Sequence, residues 1–174
     1  MKKLMICCLV MALAGLAAAQ DKAKKGKAGA RETIELKDAK GQSVGTVTAS
    51  PMSGGKGVSF KLNLKGLPPG QHAFHIHQNA SCEAPDFKSA GPHLNPENKK
   101  HGLENPEGPH AGDIKNFTAD AKGNAKQTIT DDRVTMDQLN AGTALVVHAK
   151  ADDMKTDPAG NAGDRIACAV VKKQ

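Results

Sequence analysis

Seven histidines stand in the chain, at positions 72, 75, 77, 93, 101, 110 and 148. His75 and His77 are two apart in an apolar run, so in a strand both imidazoles face the same side and can reach one ion. His93, His101 and His110 fall in a long proline-rich stretch, with Asp113 soon after the last. Three imidazoles and a carboxylate make a complete four-ligand set for zinc, with donors at about 2.0–2.2 Å. His148 ends the apolar run Ala144-Leu145-Val146-Val147, where a polar group needs a partner. Taken singly, each histidine is ordinary: a surface pair, a solvated loop residue, a hydrogen-bonded strand end. Together they exceed what one closed tetrahedral zinc takes. An imidazole-rich set suits copper or zinc, and the spacing points to two ions.

Short segments with period-two alternation or β-rich composition must carry these residues: 33–37, 44–49, 58–64, 73–77, 114–119, 125–130, 143–149 and 165–171. Turn chemistry separates them, as in Asp38-Ala39-Lys40-Gly41, Pro68-Pro69-Gly70 and Asp120-Ala121-Lys122-Gly123. This pattern argues an all-β, antiparallel sandwich or barrel, with one helical turn over 135–140. Two long segments, 78–113 and 150–164, break the pattern with Pro, Gly, Asn and Asp. Loops of that length inside a compact domain are usually functional, and something has to hold them.

The N-terminus explains much of the composition. Lys2 and Lys3, an apolar run from Leu4 to Ala18 and the small residues Ala17-Ala18-Ala19 read as a secretory signal over 1–19, too short for a membrane-spanning anchor. Residues 20–31 form a Lys-rich leader with too little apolar content to fold, suited at most to weak contact with an anionic surface. The formal charge of +6 belongs to these two segments, and from Glu32 onward the chain is formally neutral. With no basic face on the folded part and aromatic residues at only 2%, a nucleic-acid partner is not expected, nor stable membrane insertion once the signal is cut. No apolar stripe on the strand faces announces an oligomeric interface. Of the four cysteines, Cys7 and Cys8 leave with the signal, and Cys82 and Cys168 most simply form one disulfide in an exported protein.

The run Gly70-Gln71-His72-Ala73-Phe74-His75-Ile76-His77 resembles the copper-binding strand of the copper/zinc superoxide dismutases. Ala90-Gly91-Pro92-His93-Leu94-Asn95-Pro96 is similar to their bridging-histidine segment. His101, His110-Ala111-Gly112-Asp113, Leu145-Val146-Val147-His148 and Gly160-Asn161-Ala162-Gly163-Asp164-Arg165-Ile166-Ala167-Cys168 follow in family order. The resemblance runs from about residue 33 to 171 and implies an eight-stranded Greek-key barrel over 32–174 with two long functional loops. It implies copper on His75, His77, His93 and His148, and zinc on His93, His101, His110 and Asp113, with His93 bridging. Asp152 would link a copper-side and a zinc-side histidine, a Cys82–Cys168 disulfide would anchor the loop, and His72 would tie loop backbone without binding metal. The implied activity is disproportionation of superoxide to dioxygen and hydrogen peroxide in the cell envelope, periplasmic or extracellular. Arg165 would stand at the substrate entrance and His93 would supply a proton.

The match is uneven in one respect. The spacing between Cys82 and His93 is like that of bacterial exported members, and the charged residues that guide superoxide in eukaryotic members have no clear counterpart. Lys88 is a candidate substitute. A copper-buffering protein without turnover and a zinc hydrolase are the competing readings. The hydrolase lacks an evident general base beside an open zinc position.

The chain has no Trp and no Tyr. The metal-free protein is therefore expected to show almost no absorbance in the aromatic near-ultraviolet, checked on a sample quantified by amino-acid analysis.

Overall fold

A computed structural model describes residues 31–171. The expected signal over 1–19 and nearly all of the leader over 20–31 lie outside the described residues, as do 172–174.

Alternation builds the strands. In β3 (Val58–Leu64), Val58, Phe60, Leu62 and Leu64 are buried, while Lys61 and Asn63 between them are exposed. With β1 (Glu32–Asp38), β2 (Ser43–Pro51), β5 (Phe74–His77), β7 (Ala125–Asp131), β8 (Thr143–His148) and β9 (Arg165–Val171), it forms one antiparallel sheet in the order β5-β8-β9-β1-β2-β3-β7. β4 (Gly70–His72) and β6 (Phe117–Ala119) make a second, two-stranded sheet. The connections from β3 to β5 and from β7 to β8 pass from one side of the sheet to the other, a Greek-key path. A single helical turn, α1 (Met136–Leu139), sits in the second crossing, capped by reciprocal bonds between Thr135 and Gln138.

The architecture is all-β, as the sequence predicts, with one difference in count. The expected strand over 73–77 begins earlier and divides at Ala73, its first half pairing with β6 and its second with β8. A strand that changes partner counts as two, so the described residues form nine strands where eight were expected.

The sheet curls around one core. Phe60 and Phe74 meet edge to face at 5.6 Å, among Leu36, Leu62, Ile76 and Val147. β5 thereby commits Phe74 and Ile76 to the interior, and its alternate residues, His75 and His77, face the other way. β8 behaves alike, with Leu145 and Val147 in the core. Ala144 and Val146 join Phe87, Ala90 and Cys168 in a smaller cluster under the first long loop. That loop is pinned there covalently by the Cys82–Cys168 disulfide, across a sequence separation of 86.

Both long loops carry little regular structure, so the bridge has a large effect on the unfolded chain. Replacing Cys82 and Cys168 by Ser should lower the unfolding free energy of the metal-free protein by at most about 4–5 kcal/mol, read from urea titration.

Candidate metal centre

β5 is an edge strand, and its free backbone recruits the first long loop. Ile76 N–H donates to Gly112 O at 3.0 Å, Leu94 N–H to Ile76 O at 2.8 Å and Gln78 N–H to Pro92 O at 3.0 Å. These bonds set His77 opposite His93 and His75 opposite Asp113. The approach needs glycine at 112, where a Cβ would lie 2.3 Å from Ile76 O.

Among the described residues two groups of four side chains result, each with its donor atoms within 4.8 Å of one another, His75, His77, His93 and His148, and His93, His101, His110 and Asp113, with His75, His101 and Asp152 making a smaller third. Every member is buried. His93 belongs to both groups of four.

In the first group the surroundings fix the tautomers. His77 Nδ1–H donates to Gly91 O at 2.8 Å, and His148 Nδ1–H to Gly163 O at 3.2 Å. Each ring therefore presents a bare lone pair at Nε2, and these two atoms face each other at 3.4 Å. His75 Nε2–H donates to Asp152 at 2.8 Å, which leaves its Nδ1 buried without a partner. His93 Nε2 is likewise buried and unpartnered. Four lone pairs converge with no proton among them, an arrangement that fits a cation and is costly without one. Burial, and then the neighbouring rings, push the pKa of His77 down to about 2, of His93 to about 4 and of His148 to about 3. Protons do not compete well for that space.

The second group closes on one oxygen. Asp113 Oδ1 lies 2.8, 3.0 and 3.2 Å from Nδ1 of His93, His101 and His110. Ligands about 2.0–2.1 Å from a tetrahedral centre stand about 3.3 Å apart, so these edges are the right size for zinc. The other oxygen of Asp113 is held by the N–H groups of Gly102 and His110 at 2.8 and 2.9 Å. Without a cation His101 faces carboxylates on both sides. Burial opposes its charge, but Asp113 and Asp152 outweigh that and raise its pKa to about 9.

Asp152 joins the groups, taking His75 Nε2–H on one oxygen at 2.8 Å and His101 Nε2–H on the other at 3.0 Å. Asn116 clamps its backbone with two bonds of 2.9 Å. A Cβ on Gly160 would lie 1.8 Å from Asp152 Oδ1, so only glycine fits beneath this bridge. His72 stays outside both groups, with its ring nitrogens each 2.8 Å from a carbonyl, of His148 and of Pro68.

Arg165, at the start of β9, is held by Phe87 O at 2.7 Å and by Gly91 O at 2.8 Å, the carbonyl that also anchors His77. It lines a cavity of about 470 Å³ with Pro85, Asp86, Lys88, Gly163 and Asp164. Lys88, the candidate substitute, lines the same cavity as Arg165 and is bonded to Asp86 at 2.8 Å. Several contributors escape sequence reasoning. The carbonyls of Gly91 and Gly163 have no residue signature. Arg133, from the turn after β7, donates to the carbonyl of Asp113 and pairs with buried Asp131 at 2.8 Å.

Comparison with known proteins agrees with this geometry. Residues 43–171 match the family profile of copper/zinc superoxide dismutase. A copper/zinc superoxide dismutase of Aquifex aeolicus is 49% identical over 146 residues, 79% of this chain and 84% of that protein. One from Caulobacter vibrioides is 41% identical over 82% of this chain and 85% of its own length. The structure of the Brucella abortus enzyme superposes with a TM-score of 0.68 at 32% identity, covering 82% of this chain and 99% of that one. The chain belongs to the copper/zinc superoxide dismutase family, oxidoreductases that use copper and zinc to act on superoxide.

Proposed function

We propose that His75, His77, His93 and His148 hold copper and that His93, His101, His110 and Asp113 hold zinc, in an exported enzyme that disproportionates superoxide. The observation that carries the assignment is the convergence of four buried lone pairs beside Asp113, with His93 common to both groups. Copper supplies the one-electron couple that oxidises one superoxide to dioxygen and reduces the next to peroxide.

The chain's own residues do the rest. Arg165 offers a fixed, permanently charged donor fork at the mouth, already oriented by Phe87 and Gly91, so an incoming anion meets it without reorganisation. Lys88 adds a second cation there, offset by Asp86. His93 Nε2, buried and free of protein partners, is the atom that holds and releases a proton toward departing peroxide. Asp113 keeps the opposite face of that ring in place while the proton moves. Four protein ligands leave the zinc position closed, which makes its role structural and electrostatic.

Support for export comes from the signal-like sequence over 1–19 and from the Cys82–Cys168 bridge, which suits an oxidising compartment. Among the described residues no helix is long and apolar enough to cross a membrane. We assign the mature protein to the periplasm, or to the outside in a cell with no outer membrane. The basic residues of the Lys-rich segment over 20–31 suit weak contact with an anionic surface.

Metal analysis with a xanthine-oxidase-coupled assay on copper- and zinc-loaded protein tests the reading. Bound metals without turnover would favour a copper buffer instead. Replacing Arg165 by Ala should lower kcat/KM by about tenfold or more at low salt with both metals retained, and the loss should shrink as salt rises. Unchanged turnover would remove Arg165 from its role.

His101 also makes a prediction in pH. Its folded pKa of about 9 lies above the usual value of about 6.5, so its contribution to metal-free stability is present below about 6.5 and lost as pH rises through about 9. Zinc must displace the proton that bridges His101 to Asp113. Calorimetry in buffers of different ionisation enthalpy, at a pH between those limits, should show zinc binding release a proton in the wild type, with the release reduced in Asp113→Asn.

A further inference from the structure

The imidazoles assigned to metal, His93 aside, each have a second nitrogen that the metal does not use. His75 and His101 give theirs to Asp152, His77 to Gly91 O and His148 to Gly163 O. His93 uses both of its own. His110 is the exception: with its Nδ1 given to zinc its proton would sit on Nε2, and that atom has Asp157 Oδ1 at 4.0 Å, beyond hydrogen-bond length.

Asp157 comes from the second long loop, yet it already grips the first. Its Oδ1 accepts the backbone N–H of His101 at 2.8 Å, and its Oδ2 lies 3.5 Å from Lys100 Nζ. The bond from His101 holds the carboxyl below the usual carboxylate range, so it is charged at neutral pH. It lines a cavity of about 490 Å³ together with Lys99, Lys100, His93 and His110. In the Asp113 group, His101 and Asp113 are fully buried, while His93 and His110 retain 4% and 7% exposure. Asp157 therefore stands where the zinc-side group meets solvent.

We propose that Asp157 is a positioning residue of the zinc site: its carboxylate fixes His101 through the main chain and, 4.0 Å away and beyond hydrogen-bond length, acts on His110 Nε2 through its charge. This rests on the zinc ligands assigned above. The role parallels that of Asp152, but from the solvent side and on the zinc group alone. Outer carboxylates raise ligand basicity, and losing one typically weakens metal binding by about 10–100-fold.

The test is zinc affinity by competition with a chromogenic chelator, measured on the full chain with copper affinity and metal-free melting temperature alongside. Asp157→Ala should weaken zinc by about 10-fold or more and leave copper unchanged. Asp157→Asn retains an oxygen for the His101 N–H and isolates the charge. It should melt near the wild type and still bind zinc several-fold more weakly. Wild-type zinc affinity in Asp157→Asn would overturn the proposal, because the loop bond alone would then account for the residue. If Asp157→Ala fails to fold, Asp157→Asn decides alone. Wild-type protein without tight zinc binding, or with zinc binding unchanged by His110→Ala, would instead overturn the ligand assignment beneath it.

Discussion

Four of the six imidazoles in the two clustered groups have one nitrogen committed to a fixed outward acceptor, and that single bond decides how the other nitrogen is aimed. Gly91 O fixes His77, Gly163 O fixes His148, and the two oxygens of Asp152 fix His75 and His101. A neutral imidazole has one proton to donate, so tying it outward leaves the inner face electron-rich. The inner faces of His75, His77 and His148 meet the unpartnered Nε2 of His93, while His101, between two carboxylates, keeps both its protons, and a buried polar atom with no partner costs about 1–3 kcal/mol. The anchors thus create a demand that a metal cation meets. The same bonds that orient the ligands make the empty arrangement unfavourable.

Holding the anchors still is the task of the rest of the fold. The sheet provides only His75, His77 and His148 directly, on the face of β5 and β8 turned away from the main core. Everything else arrives on loops that could not hold themselves. The first loop is fastened three ways: by hydrogen bonds to the edge of β5, by the small cluster of Phe87, Ala90, Ala144, Val146 and Cys168, and by the disulfide. The second loop folds over it, with Asp152 clamped by Asn116 and Gly160 fitting beneath the Asp152–His101 bridge. Because Asp152 bonds a histidine of each group, neither loop can shift without disturbing both.

This division explains what could be read in advance. Strands such as β3 were legible because half-buried strands alternate, and the members of the two clustered groups were legible because histidine and aspartate identify themselves by type. The split at Ala73 was hidden, since an apolar alternation continues across a change of pairing partner. The expected strand over 114–119 shrinks to Phe117–Ala119 because Asn116 is occupied with Asp152. The anchoring carbonyls of Gly91 and Gly163 were illegible for a deeper reason: a backbone acceptor has no residue type, and its aim is a property of the folded loop. Lys88 lies between these cases. Its charge and its loop could be read in advance, but its place in the cavity beside Arg165 and its pairing with Asp86 are properties of the folded loop.

Arg165 shows how much the fold adds to a residue whose charge the sequence already displays. The folded chain is formally neutral from Glu32 onward, and Asp86 and Asp164 stand at the same mouth as Arg165 and Lys88. Attraction for a small anion therefore cannot come from net charge. It comes from placement, since Gly91 O accepts from both Arg165 and His77 and so fixes the guanidinium relative to the first histidine group. Half-buried, the guanidinium acts through a lower effective dielectric than an exposed lysine does, and its field is less screened by salt. Lys88, exposed and paired with Asp86, adds only a weak, salt-sensitive field. Under the proposed assignment, an anion would be drawn by the placement of that guanidinium rather than by the overall charge of the chain.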